Sequence, residues 1–240
     1  MPAAPRAVAH GQRRVPLTMG SLACLCAGLL FEPPAWGESA DGWKTFSEEK
    51  GARFARRAVA GSSYPELRVT KEVSQAPALV LDAVWRRISD STSTKDLRKK
   101  VVRSSPDEVV FYQQVSVPVV TNRDYTVRIW KTPPAPDGTV EVRYQTANEI
   151  GPALDSKYVR LETIRGAWTI TPLQSGGTRV SYLAYSEAGG SVPASFARGA
   201  QRDRHAMEFW GVVNGLPPVA AKVPAREGPG QVAPAPPAQP

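Results

Sequence analysis

A chain of 240 residues, 42% hydrophobic and 22% charged, is ordinary globular material, enough for one sizeable domain or two small ones. Its cysteines, Cys24 and Cys26, lie in an N-terminal apolar stretch, and its histidines are His10 and His205. Removal of that stretch leaves no thiol chemistry, no disulfide and no multi-histidine metal site, and any histidine triad must use His205. The net charge of +8 suits an anionic surface, although an excess of this size more often reflects solubility.

The N-terminus has the layout of an export signal over residues 1–37. Arg6, Arg13 and Arg14 form a basic region, Leu17–Phe31 is an uncharged apolar run, and Ala35-Trp36-Gly37 resembles a small-x-small cleavage site. That run is 15 residues long, against roughly 20 for a spanning helix; a retained anchor is the alternative. Ser21-Leu22-Ala23-Cys24 is a poor lipobox. An exported protein works in the periplasm or outside the cell, given a bacterial source. At the other end, Pro217–Pro240 is rich in Pro, Ala and Gly. Such a segment buries too little apolar surface to offset its ordering entropy, which predicts a disordered tail.

Between them, residues 38–216 form one domain. Trp43–Val59 has helical spacing, with Trp43, Phe46, Phe54 and Ala58 as an apolar stripe. Leu67–Ser74 reads as a strand. Pro77 opens an amphipathic helix through Leu79, Val80, Ala83, Val84 and Ile88. Asp96–Arg103 is a basic run, either a solvated face or a transient contact for an anionic membrane surface. A β-rich block follows: Val109–Val117, Asp124–Lys131, Thr139–Ala147, Lys157–Arg165, Ala167–Pro172 and Thr178–Ser186, separated by turn signals such as Pro136-Asp137-Gly138 and Ser175-Gly176-Gly177. The short spacings favour antiparallel hairpins. A long helix from Pro193 to about Leu216 closes the domain, with Phe196, Ala200, Met207, Trp210 and Asn214 near one face. The order predicts an α+β fold, a curved antiparallel sheet gripping a C-terminal helix.

Four motifs then stand in order. Pro118–Arg128 reads PVVTNRDYTVR. Tyr158-Val159-Arg160 is followed by Gly166-Ala167-Trp168 and Pro172. Gly189-Gly190-Ser191-Val192-Pro193 enters the last helix, and Trp43 precedes Gly61-Ser62-Ser63. Together they resemble the START domain, the lipid-transfer family related to the steroidogenic acute regulatory protein, over roughly Asp41 to Leu216. The resemblance implies a helix-grip fold with an internal hydrophobic cavity. It implies binding and transfer of one lipid or other hydrophobic small molecule, without chemistry or a cofactor. Gln113 and Gln114 stand where sterol-carrying members tend to place a cavity acid, which weakens sterol specificity.

Burying such a ligand requires apolar walls and a few polar anchors. The candidate walls are Phe111, Trp130, Tyr144, Trp168, Tyr182, Tyr185, Met207 and Trp210; each reads equally as plain core. By resemblance Arg128 matches an inward head-group anchor. Strand alternation puts it on one face with Asp124, Thr126 and Trp130, and a structural ion pair with Asp124 or Glu162 is the alternative. Gln114 and Asn214 are candidate neutral anchors. Arg123-Asp124 reads as a loop-fixing pair, Arg160 stays ambiguous, and His205, among Arg202, Asp203 and Arg204, reads as a solvated surface residue. No metal or nucleic-acid signature stands out. Two other readings remain. One is a helix-grip enzyme, a cyclase or hydrolase using Asp124 or Glu162 with Tyr182. The other is an interaction protein with a collapsed cavity, docking through its tail.

Overall fold

The computed structural model describes residues 41–218, apart from Val119 and Ser191. The expected export signal and all but the first two residues of the expected tail lie outside them. Chain order gives β1 (Lys44–Glu49), β2 (Ala52–Arg57), β3 (Glu66–Val73), α1 (Pro77–Ile88), β4 (Leu97–Ser104), β5 (Glu108–Val115), β6 (Arg123–Lys131), β7 (Val140–Thr146), a 3-10 turn at Asn148–Ile150, β8 (Val159–Arg160), β9 (Ile164–Pro172), β10 (Thr178–Ser186) and α2 (Ala194–Val213). The strands form one sheet in the order β1-β2-β3-β10-β9-β7-β6-β5-β4, every pair antiparallel, with β8 lying parallel beside β6. With α2 held to this sheet, the expected α+β helix-grip architecture stands.

The start of the domain corrects the sequence reading. Trp43–Val59 forms the β1–β2 hairpin, not a helix. Lys50 and Gly51 have φ of 48° and 73°, so both central residues of the two-residue loop are left-handed, the geometry that matches the twist of paired strands. Ala52 and Phe54 point to the core while Arg53 and Arg56 are exposed, and β2 pairs with β3 from Arg53↔Thr70 to Arg57↔Glu66. Burying Phe54 between Phe209 and Trp210, ring centroids 6.5 and 6.4 Å away, outweighs a weak helical periodicity.

A second correction concerns Lys157–Arg165. Val159 and Arg160 form β8, Ile164 and Arg165 already belong to β9, and the residues between them are not in a strand. Arg160 grips Asp124 with two bonds, Nε to Oδ1 at 2.9 Å and Nη2 to Oδ2 at 2.7 Å. That fork holds this short segment beside β6 rather than in a hairpin with β9. The basic run at Asp96–Arg103 is largely β4, an edge strand.

Both helices cover the concave face of the sheet. Pro77 at the N-terminus of α1 suits the first turn, and Val80 and Val84 are fully buried. Beneath them lie Val69, Val142, Ile170 and Val180, with Trp168 stacked between Tyr182 (centroids 4.3 Å apart) and Phe209 (6.0 Å). On α2 the buried face is Ala197, His205, Phe209 and Val212, whereas Met207 and Asn214 are exposed. The expected stripe through Ala200, Met207, Trp210 and Asn214 is therefore rotated away from the true one; the side chain of Phe196 lies outside the described residues.

Candidate functional site: a cavity between sheet and helix

Toward the N-terminal half of α2 the concave face is not filled. A cavity of about 400 Å³ lies between the sheet and the helix, within the range of small-molecule sites. Its apolar wall includes Leu67 (β3), Val127 and Ile129 (β6), Ile164 (β9) and Ala184 (β10), and α2 contributes Ala197, Gln201, His205 and Glu208. The lining residues from the first turns of α2, Ala197 and Ala200, are small and leave space that Phe209 and Val212 fill further along.

One group of polar side chains in the wall is neutral. Tyr125 Oη donates to Gln113 Oε1 at 2.7 Å. Tyr144 Oη donates to Tyr182 Oη at 3.2 Å and lies 3.3 Å from the Leu183 carbonyl. His205 Nε2 is 3.1 Å from the Tyr182 carbonyl oxygen, and its ring stacks on the Tyr182 ring at 4.6 Å. Burial pushes the Tyr182 phenol up to about 12, the Tyr144 phenol well above its ordinary value, and His205 down to about 4. All three are uncharged at neutral pH. Tyr144 reaches across because its strand partner is Gly166: a Cβ there would collide with the Tyr144 hydroxyl and the Leu183 carbonyl.

The cavity is lined by charged side chains as well, Arg87, Lys99, Arg123, Arg204, Glu187 and Glu208. Arg87 Nε pairs with Glu208 Oε2 at 3.3 Å, and Lys99 Nζ donates to the Asp90 carbonyl at 2.6 Å. Desolvation pulls the Lys99 ammonium below its ordinary value, against the attraction of Asp90 and Glu208. Arg123, nearly buried, donates to the carbonyls of Ala188 and Thr121.

Of the expected ligand-contacting residues, Tyr144 and Tyr182 are on the wall, as is Tyr185. The other eight are not. Arg128 and Trp130 lie on the outer face of β6: Arg128 Nε donates to Glu108 Oε2 at 2.6 Å and its guanidinium sits 4.7 Å from the Trp130 ring centre. The face shared by Asp124, Thr126, Arg128 and Trp130 exists, but it points away from α2, and Tyr125, Val127 and Ile129 point inward. Gln114, also outside, donates to Tyr112 Oη at 3.2 Å, which donates to Asp124 Oδ2 at 2.9 Å. Phe111 and Trp168 are fully packed core, and Trp210 packs edge-on against Phe209. Met207 and Asn214 face outward.

Arg123-Asp124 does fix a loop, and Arg160 is its partner. Burial alone would raise the Asp124 carboxyl, yet hydrogen bonds from Arg160 and Tyr112 outweigh it and hold the group below the usual carboxylate range. His205, expected on the surface, is 4% exposed. Its charged neighbours Arg202, Asp203 and Arg204 are exposed, Arg204 at the same time lining the cavity; the i−4 and i+4 positions, Gln201 and Phe209, carry the signal that it faces inward. The inward face of β6 was legible as the alternation Tyr125-Val127-Ile129.

A STAR-related lipid transfer protein from Xanthomonas axonopodis (fragment 25–204) superposes with a TM-score of 0.59 at 25% identity, covering 73% of this chain and 99% of that one. Human StAR-related lipid transfer protein 5 shares the fold with a TM-score of 0.58 at 15% identity, covering 74% of this chain and 87% of that one. An uncharacterized protein of Pseudomonas aeruginosa is 26% identical over 161 residues, 66% of this chain and 78% of its own length. Residues 35–212 match the START domain, and the chain belongs to that family.

Proposed function

We propose that the protein binds one lipid or other hydrophobic small molecule in the cavity under α2 and carries it through an aqueous compartment without altering it. The observation that carries this reading is the cavity of about 400 Å³ lined by Leu67, Val127, Ile129, Ile164 and Ala184 with neutral polar groups among them. Each Å² of apolar ligand surface removed from water stabilises the complex by about 25 cal/mol. Membership of the START family and the likeness to a STAR-related lipid transfer protein support the same reading. Carriage without turnover is favoured over the enzyme reading because Asp124 is committed to Arg160 on the outer face and Glu162 is exposed; neither reaches Tyr182.

Export to the periplasm or beyond is supported by the basic and apolar segments of residues 1–37. Transient contact with an anionic membrane is supported by β4, where exposed Val101 and Val102 lie between the exposed Lys100 and Arg103. Cosedimentation with vesicles of anionic and of zwitterionic lipid tests that contact; equal binding to both overturns it. The test of the main reading is native mass spectrometry of protein purified from its own host, then organic extraction. A stoichiometric apolar ligand is expected. Protein that emerges empty and takes up nothing from a broad lipid panel overturns the carrier reading.

A further inference from the structure

We propose that His205 and Tyr182 form a hydroxyl-reading pair in the cavity wall, and that the ligand is an apolar molecule with a neutral hydroxyl that donates to His205 Nδ1 and accepts from the Tyr182 O–H. This rests on the carrier reading above and names the chemistry that the carrier selects.

The assignment follows from what each partner can do. The Tyr182 carbonyl, 3.1 Å from His205 Nε2, can only accept, so Nε2 carries the proton. A neutral imidazole has one N–H, and Nδ1 is left as a lone pair. Burial keeps the ring neutral well below pH 7. Nδ1 has no hydrogen-bond partner among the described residues. The Tyr182 hydroxyl accepts from Tyr144 at 3.2 Å, so its own proton is free, and it too has no acceptor among the described residues. The two rings are stacked 4.6 Å apart and within 12° of parallel, so the open acceptor and the open donor belong to neighbouring side chains that both line the cavity.

A single alcohol group satisfies both, since it has one proton to give and lone pairs to accept with. An ether or ester oxygen only accepts, and leaves His205 unpaired. A carboxylate or phosphate also has no proton to give. It would have to shed its hydration beside Gln113, Tyr125, Tyr144, Tyr182 and His205, none of which is cationic. Of the cations that also line the cavity, Arg87 pairs with Glu208, Lys99 and Arg123 bond to carbonyls, and Arg204 is exposed to solvent.

The test compares hexadecanol, its methyl ether and hexadecanoate for binding to the full chain, by competition in native mass spectrometry. The alcohol is expected to bind about tenfold tighter than the ether, the scale of one or two buried hydrogen bonds, with hexadecanoate weaker than the alcohol. Tyr182→Phe keeps the ring stack and removes only the donor, and the alcohol-to-ether ratio should fall toward one; His205→Phe should do the same from the acceptor side, with thermal unfolding as the check that it folds. A purely structural role for these residues would shift both affinities together and leave the ratio intact. Equal affinity for alcohol and ether, a ratio unchanged in Tyr182→Phe, or preference for hexadecanoate overturns the proposal while leaving the carrier reading standing. Failure to bind any of the three by protein that also emerges empty from its host refutes the carrier reading, and the proposal with it.

Discussion

One sheet and one helix enclose two unlike spaces. Toward the C-terminal half of α2, Phe209 and Val212 meet Trp168, Ile170, Val80 and Val84, and the gap is filled. Toward the N-terminal half, Ala197, Gln201 and His205 face Tyr125, Tyr144, Tyr182 and Ala184, and about 400 Å³ stays open. The backbone architecture is the same at both ends; side-chain size and polarity differ. A filled end anchors the helix through close packing. The hollow end carries polar side chains in its wall, Tyr125, Tyr144, Tyr182 and His205, where the filled end is built from aliphatic and aromatic packing.

The sharpest way to break this contrast is to hollow the filled end. Trp168→Ala removes the middle ring of the Tyr182–Trp168–Phe209 stack and should cost about 3–5 kcal/mol in urea unfolding; a loss below about 1 kcal/mol would mean the two ends are not distinct. Asp124→Ala strands Arg160, whose side chain is 10% exposed, and should cost about 3 kcal/mol by the same measurement without the cavity wall being touched.

His205 makes the hollow end sensitive to acid. Its folded value of about 4 lies below the ordinary 6.5, so as pH falls the unfolded chain takes up the proton first. Stability is complete above 6.5, declines through the window below it and is lost by about 4, an effect of about 3 kcal/mol. Urea midpoints measured in pH steps should show this decline, and His205→Gln should flatten it between 6.5 and the onset of carboxylate titration. Arg128→Ala breaks a half-exposed pair on the outer face and should change stability by less than about 1 kcal/mol, with ligand capacity unaltered; a loss of capacity would revive Arg128 as an anchor. Ala184→Leu fills space in the wall and should also change stability by less than about 1 kcal/mol, while lowering the amount of ligand recovered per protein. The pairing of a stable fold with lost capacity separates hollow from filled.

Several elements were legible before the fold was known. β10 has the predicted bounds Thr178–Ser186, and α1 begins at the predicted Pro77, because alternating apolar strands and a proline-opened helix signal locally. The START motifs around Arg123-Asp124 and Gly166-Ala167-Trp168 placed the chain in its family, yet did not place its ligand. Arg128 shares a face with Asp124 as alternation requires. Which face is concave depends on where α2 packs, and a period of two cannot say. The hairpin at Lys50-Gly51 is not legible locally because its cause is non-local: β2 is a strand since β3 offers it partners.

The sequence alone determined the α+β class, the strand-rich middle, the amphipathic α1 and the closing helix, since each follows from short-range periodicity and turn chemistry. The tertiary structure decided which way each face points, that Asp124 and Arg160 brace a loop, and that His205 is interior. It also decided that Ala197 and Ala184 stand where a cavity remains. Those outcomes depend on residues far apart in the chain meeting across the sheet, and the free volume between them belongs to no local segment.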